Sequence, residues 1–369
     1  MNKLSDYADY VEEKIENILL TNKTYIGVDN LLPNRNGIKT SNYKPDEGSS
    51  IKFKKNDILI GNIRPYFKKI WLASFNGGCS SDVLCIRPKK QEYSRYLYSV
   101  LSQDLFFDYD MAGSKGSKMP RGDKRHIMNF PIEIIKNYET IGNILFNIDA
   151  QIKRNNDMVQ KLQVLSQGIF NKLFSDETNN ISLLDFPYIQ IIKPGISKFE
   201  GTKHYIATAE VDNEKVNYNA PLIDFDTREN RANMQPVKNS VWFAKMKNSL
   251  KHIYISDTDS MMCSNYIFST GFTGIKCDDF AFEYLVNFIN MPYFENKKNI
   301  LSHGATMEGV NNEDLKSIQI PLPSKDKLII FHNKVKEIHY QTTKLNEQTF
   351  KLNVLKEKLL PLLINGQLI

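Results

Sequence analysis

The chain has 369 residues, of which 41% are hydrophobic and 24% charged, with a net charge of +6. That length supports two ordinary domains with a core each, and the composition excludes a disordered, collagen-like or low-complexity chain. No apolar run approaches the roughly 18 residues of a membrane span, and Asp6, Asp9, Glu12 and Glu13 stand where a secretory leader would be basic then apolar, so a cytoplasmic protein with no membrane partner is expected.

In chain order, residues 1–139 carry short runs of Ile, Val, Phe, Tyr and Trp broken by Gly, Asn, Asp and Pro, which predicts strands with a few helices. Residues 93–109 have helical apolar spacing, and Phe130-Pro131-Ile132 closes the segment as a strand. Residues 140–175 then change period. Ile141, Leu145, Ile148, Ile152, Asn155, Val159, Leu162, Ser166, Ile169 and Leu173 alternate steps of four and three, a coiled-coil seam. Residues 176–322 return to strand-like runs, with a helical stretch at 280–297 and a closing Ile320-Pro321-Leu322. Residues 323–369 repeat the seam as Phe331, Val335, Ile338, Thr342, Leu345, Thr349, Leu352, Lys356, Leu359 and Leu363. Cys79, Cys85, Cys263 and Cys277 fit neither paired zinc spacing nor a disulfide framework, and reduced, mostly buried thiols are expected.

The second half repeats the first at an offset of 180 to 190 residues. Tyr25-Ile26 answers to Tyr205-Ile206, Ile58-Leu59-Ile60 to Val241-Trp242-Phe243, and Cys79-Ser80 to Cys263-Ser264. Gly116 to Met119 answers to Gly304 to Met307, and Leu162 to Leu165 to Leu352 to Leu355. A tandem repeat of this kind sets the architecture. Each helix follows its own domain and needs a partner for its apolar stripe, so the two are expected to pair antiparallel, a homodimer through either helix being the alternative. The expected fold is mixed α/β: two repeated domains joined by a two-helix coiled coil, a dumbbell with a pseudo-twofold axis. Its rod of roughly 33 residues would be about 50 Å long.

Charge is unevenly spread. Residues 1–139 hold 22 basic and 17 acidic side chains, whereas residues 176–322 hold 14 and 19, so the first domain has the stronger case for binding phosphates. Its candidate contacts are Lys115, Ser117, Lys118, Arg121, Lys124 and Arg125 in a loop whose glycines let a ligand approach the backbone. Arg64, Lys68 and Lys69 lie among Tyr66, Phe67 and Trp71. In the second domain the candidates are Lys245, Lys247, Lys251, His303, Thr306 and Asn311, although residues 302–314 contain no Lys or Arg. There a carboxylate or amide could read base edges. Phosphate-loop, zinc-protease and serine-hydrolase motifs are absent, so no catalytic apparatus and no metal site are expected.

The chain resembles, over essentially its full length, the specificity subunits of type I restriction-modification systems. The segments that carry the likeness are residues 25–29, 57–65, 79–82, Met119-Pro120-Arg121 with 130–132, and the closing helices. The resemblance implies two target-recognition domains (1–139 and 176–322), each followed by a long helix (140–175 and 323–369). It implies a non-catalytic subunit that binds a split, asymmetric target in double-stranded DNA. Two methyltransferase subunits would dock on the helices, and motor-nuclease subunits would join through the complex. No cofactor belongs to this chain; S-adenosylmethionine, ATP and Mg would sit on partners. A methylation-only or type IIB-like complex, and a coiled-coil interaction protein that binds no DNA, are the alternatives.

Overall fold

The computed structural model describes residues 2–116, 118–304 and 308–364, with side chains to residue 359. It is mixed α/β, as expected, and divides into two compact units: residues 1–154 with 351–369, and residues 155–350.

In the first unit one antiparallel sheet has the order Ala8–Tyr10, Val83–Pro88, Ile58–Gly61, Ile70–Leu72. A second runs Lys14–Glu16, Ser49–Phe53, Gly77–Cys79, Tyr25–Ile26, its last pair parallel. The strand Ile58–Gly61 is buried throughout because both its faces are covered, which is why it reads as continuously apolar. Successive side chains alternate: Ile58 and Ile60 join a core with Leu97, Leu101 and Phe106, while Leu59 joins Phe53, Trp71 and Cys79. The helices Ser94–Leu101 and Asp104–Gly113 cover the first face, as does the beginning of the long helix Tyr138–Phe174 through Ile141 and Leu145. A Cβ at Gly142 would stand 2.5 Å from the Tyr96 backbone nitrogen, so the helices meet there only because the residue is glycine.

The second unit repeats this plan. Ile189–Ile191, Phe272–Cys277, Ser240–Ala244 and His252–Ile255 form an antiparallel sheet. Leu222–Asp224, Thr202–Ile206, Tyr266–Ser269 and Ala232–Met234 form another with one parallel pair. Trp242 lies opposite Gly274 in the register, and a Cβ there would fall 2.5 Å from the indole.

Strand register tests the repeat residue by residue. Ile58 pairs with Ile86 and Ile86 with Tyr10; Val241 pairs with Ile275 and Ile275 with Ile191. The match of Ile58 to Val241 therefore holds. The match of Cys79 to Cys263 does not. Cys79 sits beside Ile26 as Phe268 sits beside Ile206, so Phe268 is its equivalent. Cys263 lies five residues earlier, on a short helix Ser260–Asn265 that precedes the strand. All four cysteines are free, three of them buried.

The two long helices are Tyr138–Phe174 and Lys325–Ile364. In the first unit Leu359 packs on the core that holds Ile141 and Leu145, and Lys356 pairs with Asp149. In the second, Phe174 packs on Phe331 with ring centroids 5.3 Å apart and Ser166 meets His339, an antiparallel arrangement. Of the seam positions, the apolar Ile141, Leu145, Ile148, Val159, Phe331 and Val335 are buried, and so are the polar Asn155, Ser166 and Thr349. Ile152, Leu162, Ile169, Leu173, Ile338, Leu345, Leu352 and Leu359 are half-buried, and the Leu363 side chain lies outside the described residues. Phe170 and Phe174 are buried more deeply than their neighbours Ile169 and Leu173, as a 3.6-residue period drifting past a 3.5-residue seam requires.

Candidate nucleic-acid interface

In the first unit the structure joins the two basic clusters that the sequence keeps apart. The loop after Gly113 folds back on itself: Lys115 N donates to Arg121 O at 2.9 Å and Arg121 N to Lys115 O at 3.0 Å. The closed loop docks on the segment after strand Ile58–Gly61, where Ile63 bridges to Arg121 and Arg64 N donates to Pro120 O at 2.8 Å. Arg64 adopts a left-handed conformation with φ 52° and opens the turn Pro65–Phe67. That turn leaves the Tyr66 and Phe67 rings exposed beside the basic loop. Lys115, Lys118, Arg121, Lys124 and Arg125 are exposed and Arg64 is half-buried; Ser117 lies outside the described residues.

Several of these cations are held by carboxylates that sequence reasoning did not assign. Arg121 lies 3.2 Å from Asp82, Lys115 2.7 Å from Asp123, and Lys68 2.7 Å from Asp104, which also binds Arg35. Asp123 caps the helix Lys124–Met128, accepting from Arg125 N and His126 N. The Lys115 ammonium and these amides hold its carboxyl down at about 2. Lys69 turns inward, its ammonium on Val28 O at 2.7 Å, and burial lowers its pKa. The Lys124 ammonium sits over the Tyr10 ring. Arg64, Lys118 and Arg125 form no ion pair among the described residues.

Beneath the loop lies Asp110, fully buried with neither carboxyl oxygen hydrogen-bonded among the described residues. Burial raises its pKa to about 7. A Cβ on Gly122 would fall 2.3 Å from Asp110 Oδ1 and 2.9 Å from Asn62 Oδ1, so only glycine lets the loop lie this close.

The second unit builds the same device from other side chains. His303 and Gly309 exchange backbone hydrogen bonds of 3.1 and 3.0 Å, Met246 bridges to Gly309, and Lys247 N donates to Glu308 O. Bond for bond, Lys247 replaces Arg64, His303 replaces Lys115 and Gly309 replaces Arg121. Lys247 pairs with Glu308 at 2.6 Å, and Lys251 spends its ammonium on Thr208 O at 2.6 Å. Burial and the nearby charge of Arg231 lower the pKa of Lys245. His303 is exposed; the Asn311 amide oxygen accepts from the backbones of Glu313 and Asp314; Thr306 lies outside the described residues. Arg231, exposed beside Lys245, carries no motif that would mark it in the sequence.

Elsewhere in the second unit a cavity of about 400 Å³ is lined by Glu214, Tyr218, Tyr254, Asp259, His332 and His339 among others. Its polar groups are largely engaged with one another: Glu214 accepts from Gln163 and Asn290, and His332 binds Glu283 at 2.7 Å. Among the described residues no cluster could hold a metal ion and no helix is long and apolar enough to cross a membrane.

No protein-family model matches the chain. A 135-residue stretch is 24% identical to the type I restriction enzyme EcoDI specificity subunit of Escherichia coli, covering 34% of this chain and 29% of that protein. The chain thus spans under a third of the curated relative it matches. The crystal structure of the type I restriction-modification S subunit from M. genitalium superposes with a TM-score of 0.62 at 14% identity, over 97% of this chain and 94% of that one. A structure described for complex assembly and conformational transition of a type I system gives a TM-score of 0.40 at 14% identity, covering 100% of this chain and 97% of that chain.

Proposed function

We propose, from a fold that is that of a type I specificity subunit, that this chain supplies DNA sequence choice to a type I restriction-modification complex. The observation that carries this reading is the twice-built loop. In each unit a closed loop is fixed by backbone hydrogen bonds beside the end of a central strand, and the side chains it presents differ between the copies. A common scaffold with different side chains suits two readers of unlike half-sites, so the target is split and asymmetric. Residues 1–139 and 176–322 are the two recognition regions, and residues 140–175 and 323–369 the helices on which two methyltransferase subunits dock. Exposed Ile144, Met158, Val164, Leu165, Ile330 and Leu355 on those helices offer apolar surface for such partners.

The chain itself is non-catalytic and cytoplasmic. Motor-nuclease subunits join through the complex, with S-adenosylmethionine, ATP and Mg on the partners. Mapping methylated sites in cells that make this chain and its methyltransferase tests the reading. One bipartite asymmetric motif that disappears when the chain is deleted is expected, and methylation that persists unchanged without it would refute the assignment.

A further inference from the structure

We propose that Arg121 and Asp82 act as one base-reading couple, and that the half-site addressed by the first unit contains a C·G pair read by both. The inference rests on the DNA-binding reading above and deepens it to chemistry at one base pair.

The geometry fits the edge of that pair. In the major groove guanine offers O6 and N7 as acceptors to an arginine fork, and cytosine offers its N4 amino group as a donor to a carboxylate. O6 and N4 are themselves hydrogen-bonded partners, so their readers must lie about a hydrogen bond apart. The Arg121 guanidinium and Asp82 Oδ1 are separated by 3.2 Å, with side chains 57% and 38% exposed. Neither backbone can drift. Arg121 is bonded through both its N–H and its C=O to Lys115, and Asp82 O accepts from Asn62 N at 2.9 Å. The two other paired carboxylates of this face do not qualify. Asp123 is committed to its helix cap and Asp104 to two cations.

The second unit supplies an independent argument. Lys245 N donates to Gly271 O as Asn62 N donates to Asp82 O, so Gly271 occupies the place of Asp82, and Gly309 that of Arg121. Both members are glycine there. The couple is therefore absent as a whole from the second unit, with neither half of it present alone. Arg231 moves into the vacated space, its Nη2 3.1 Å from where a Gly271 Cβ would stand. The second half-site therefore lacks a C·G pair read in this way.

The test selects randomised duplex DNA with the complex purified from the cells that make it, through a tag on this chain, for wild type, D82A and R121A. The expected result is that each variant loses preference at the same C·G position of one half-site, by about 10- to 100-fold, and that the other half-site is unchanged. That unchanged half-site also reports intact folding. D82A, which frees Arg121, should in addition steepen the salt dependence of non-specific binding, whereas R121A should not. Variants that both select the wild-type motif, or that alter different positions, would overturn the couple alone. A wild-type complex that selects no sequence would overturn the DNA-reading assignment and the couple with it.

Discussion

Asp149 and Lys356 form an ion pair in the first unit at the two positions that recur in the second as His339 and Ser166. The shift is the 190 residues at which Leu162 repeats as Leu352. One site is charged and about a quarter exposed; the other is neutral, with Ser166 Oγ 3.0 Å from His339 Nε2 and Asn287 Nδ2 3.2 Å from the same nitrogen. Reversing one charge, D149K, should cost about 0.5–1 kcal/mol, and D149K/K356D should recover most of it. Urea unfolding of the four-member cycle at low and high salt measures the coupling, which should shrink as salt rises.

The two units should respond to acid in opposite senses. Burial raises Asp110 from 3.8 to about 7, so the unfolded chain loses this proton before the folded one does. The stability it contributes is full below pH 4 and is lost as pH rises towards 7, by at most about 4 kcal/mol. Burial lowers His339 from 6.5 to about 4. Its contribution is full above pH 6.5 and is lost as pH falls towards 4, by at most about 3 kcal/mol. D110N should remove the alkaline loss and H339N the acid loss, as followed by denaturant unfolding from pH 4 to pH 8.

Much of this fold was legible in the sequence, because the repeat and the strand-like apolar runs are local patterns. Ile58 and Val241 align by their flanking residues, and register confirms them. Cys263 misled because an identical Cys-Ser dipeptide outweighs a helical insertion that only the strand pairing reveals. The basic loop could be found from its composition. Its counter-charges could not: Asp82 is 39 positions from Arg121 and belongs to no charged run. The docking of the loop on Arg64 was likewise hidden, since backbone atoms make it.

The loop's phosphate-binding strength should come from the cations that no carboxylate holds. K118A/R125A should lower the slope of log affinity against log salt by about 1.8 and weaken all DNA sequences alike. Filter binding of the complex across a salt series reads both quantities.

Gly122 tests how tightly the loop is seated. G122A forces a methyl against the Asp110 carboxyl and should destabilise the first unit by about 1–3 kcal/mol. D110A removes the nearest of these contacts and leaves Asn62 Oδ1 at 2.9 Å, so G122A should cost less there without becoming neutral. Denaturation of the single and double variants gives the coupling directly.

The loops of both units are docked through the same main-chain hydrogen bond, Arg64 N to Pro120 O in one and Lys247 N to Glu308 O in the other. An amide group is the same whatever side chain follows it. Such an anchorage leaves the outward residues free to diverge by point mutation or by exchange of short gene segments, with no cost to the scaffold. Duplicated halves that began alike can therefore acquire unrelated preferences while every strand and helix beneath them stays in place.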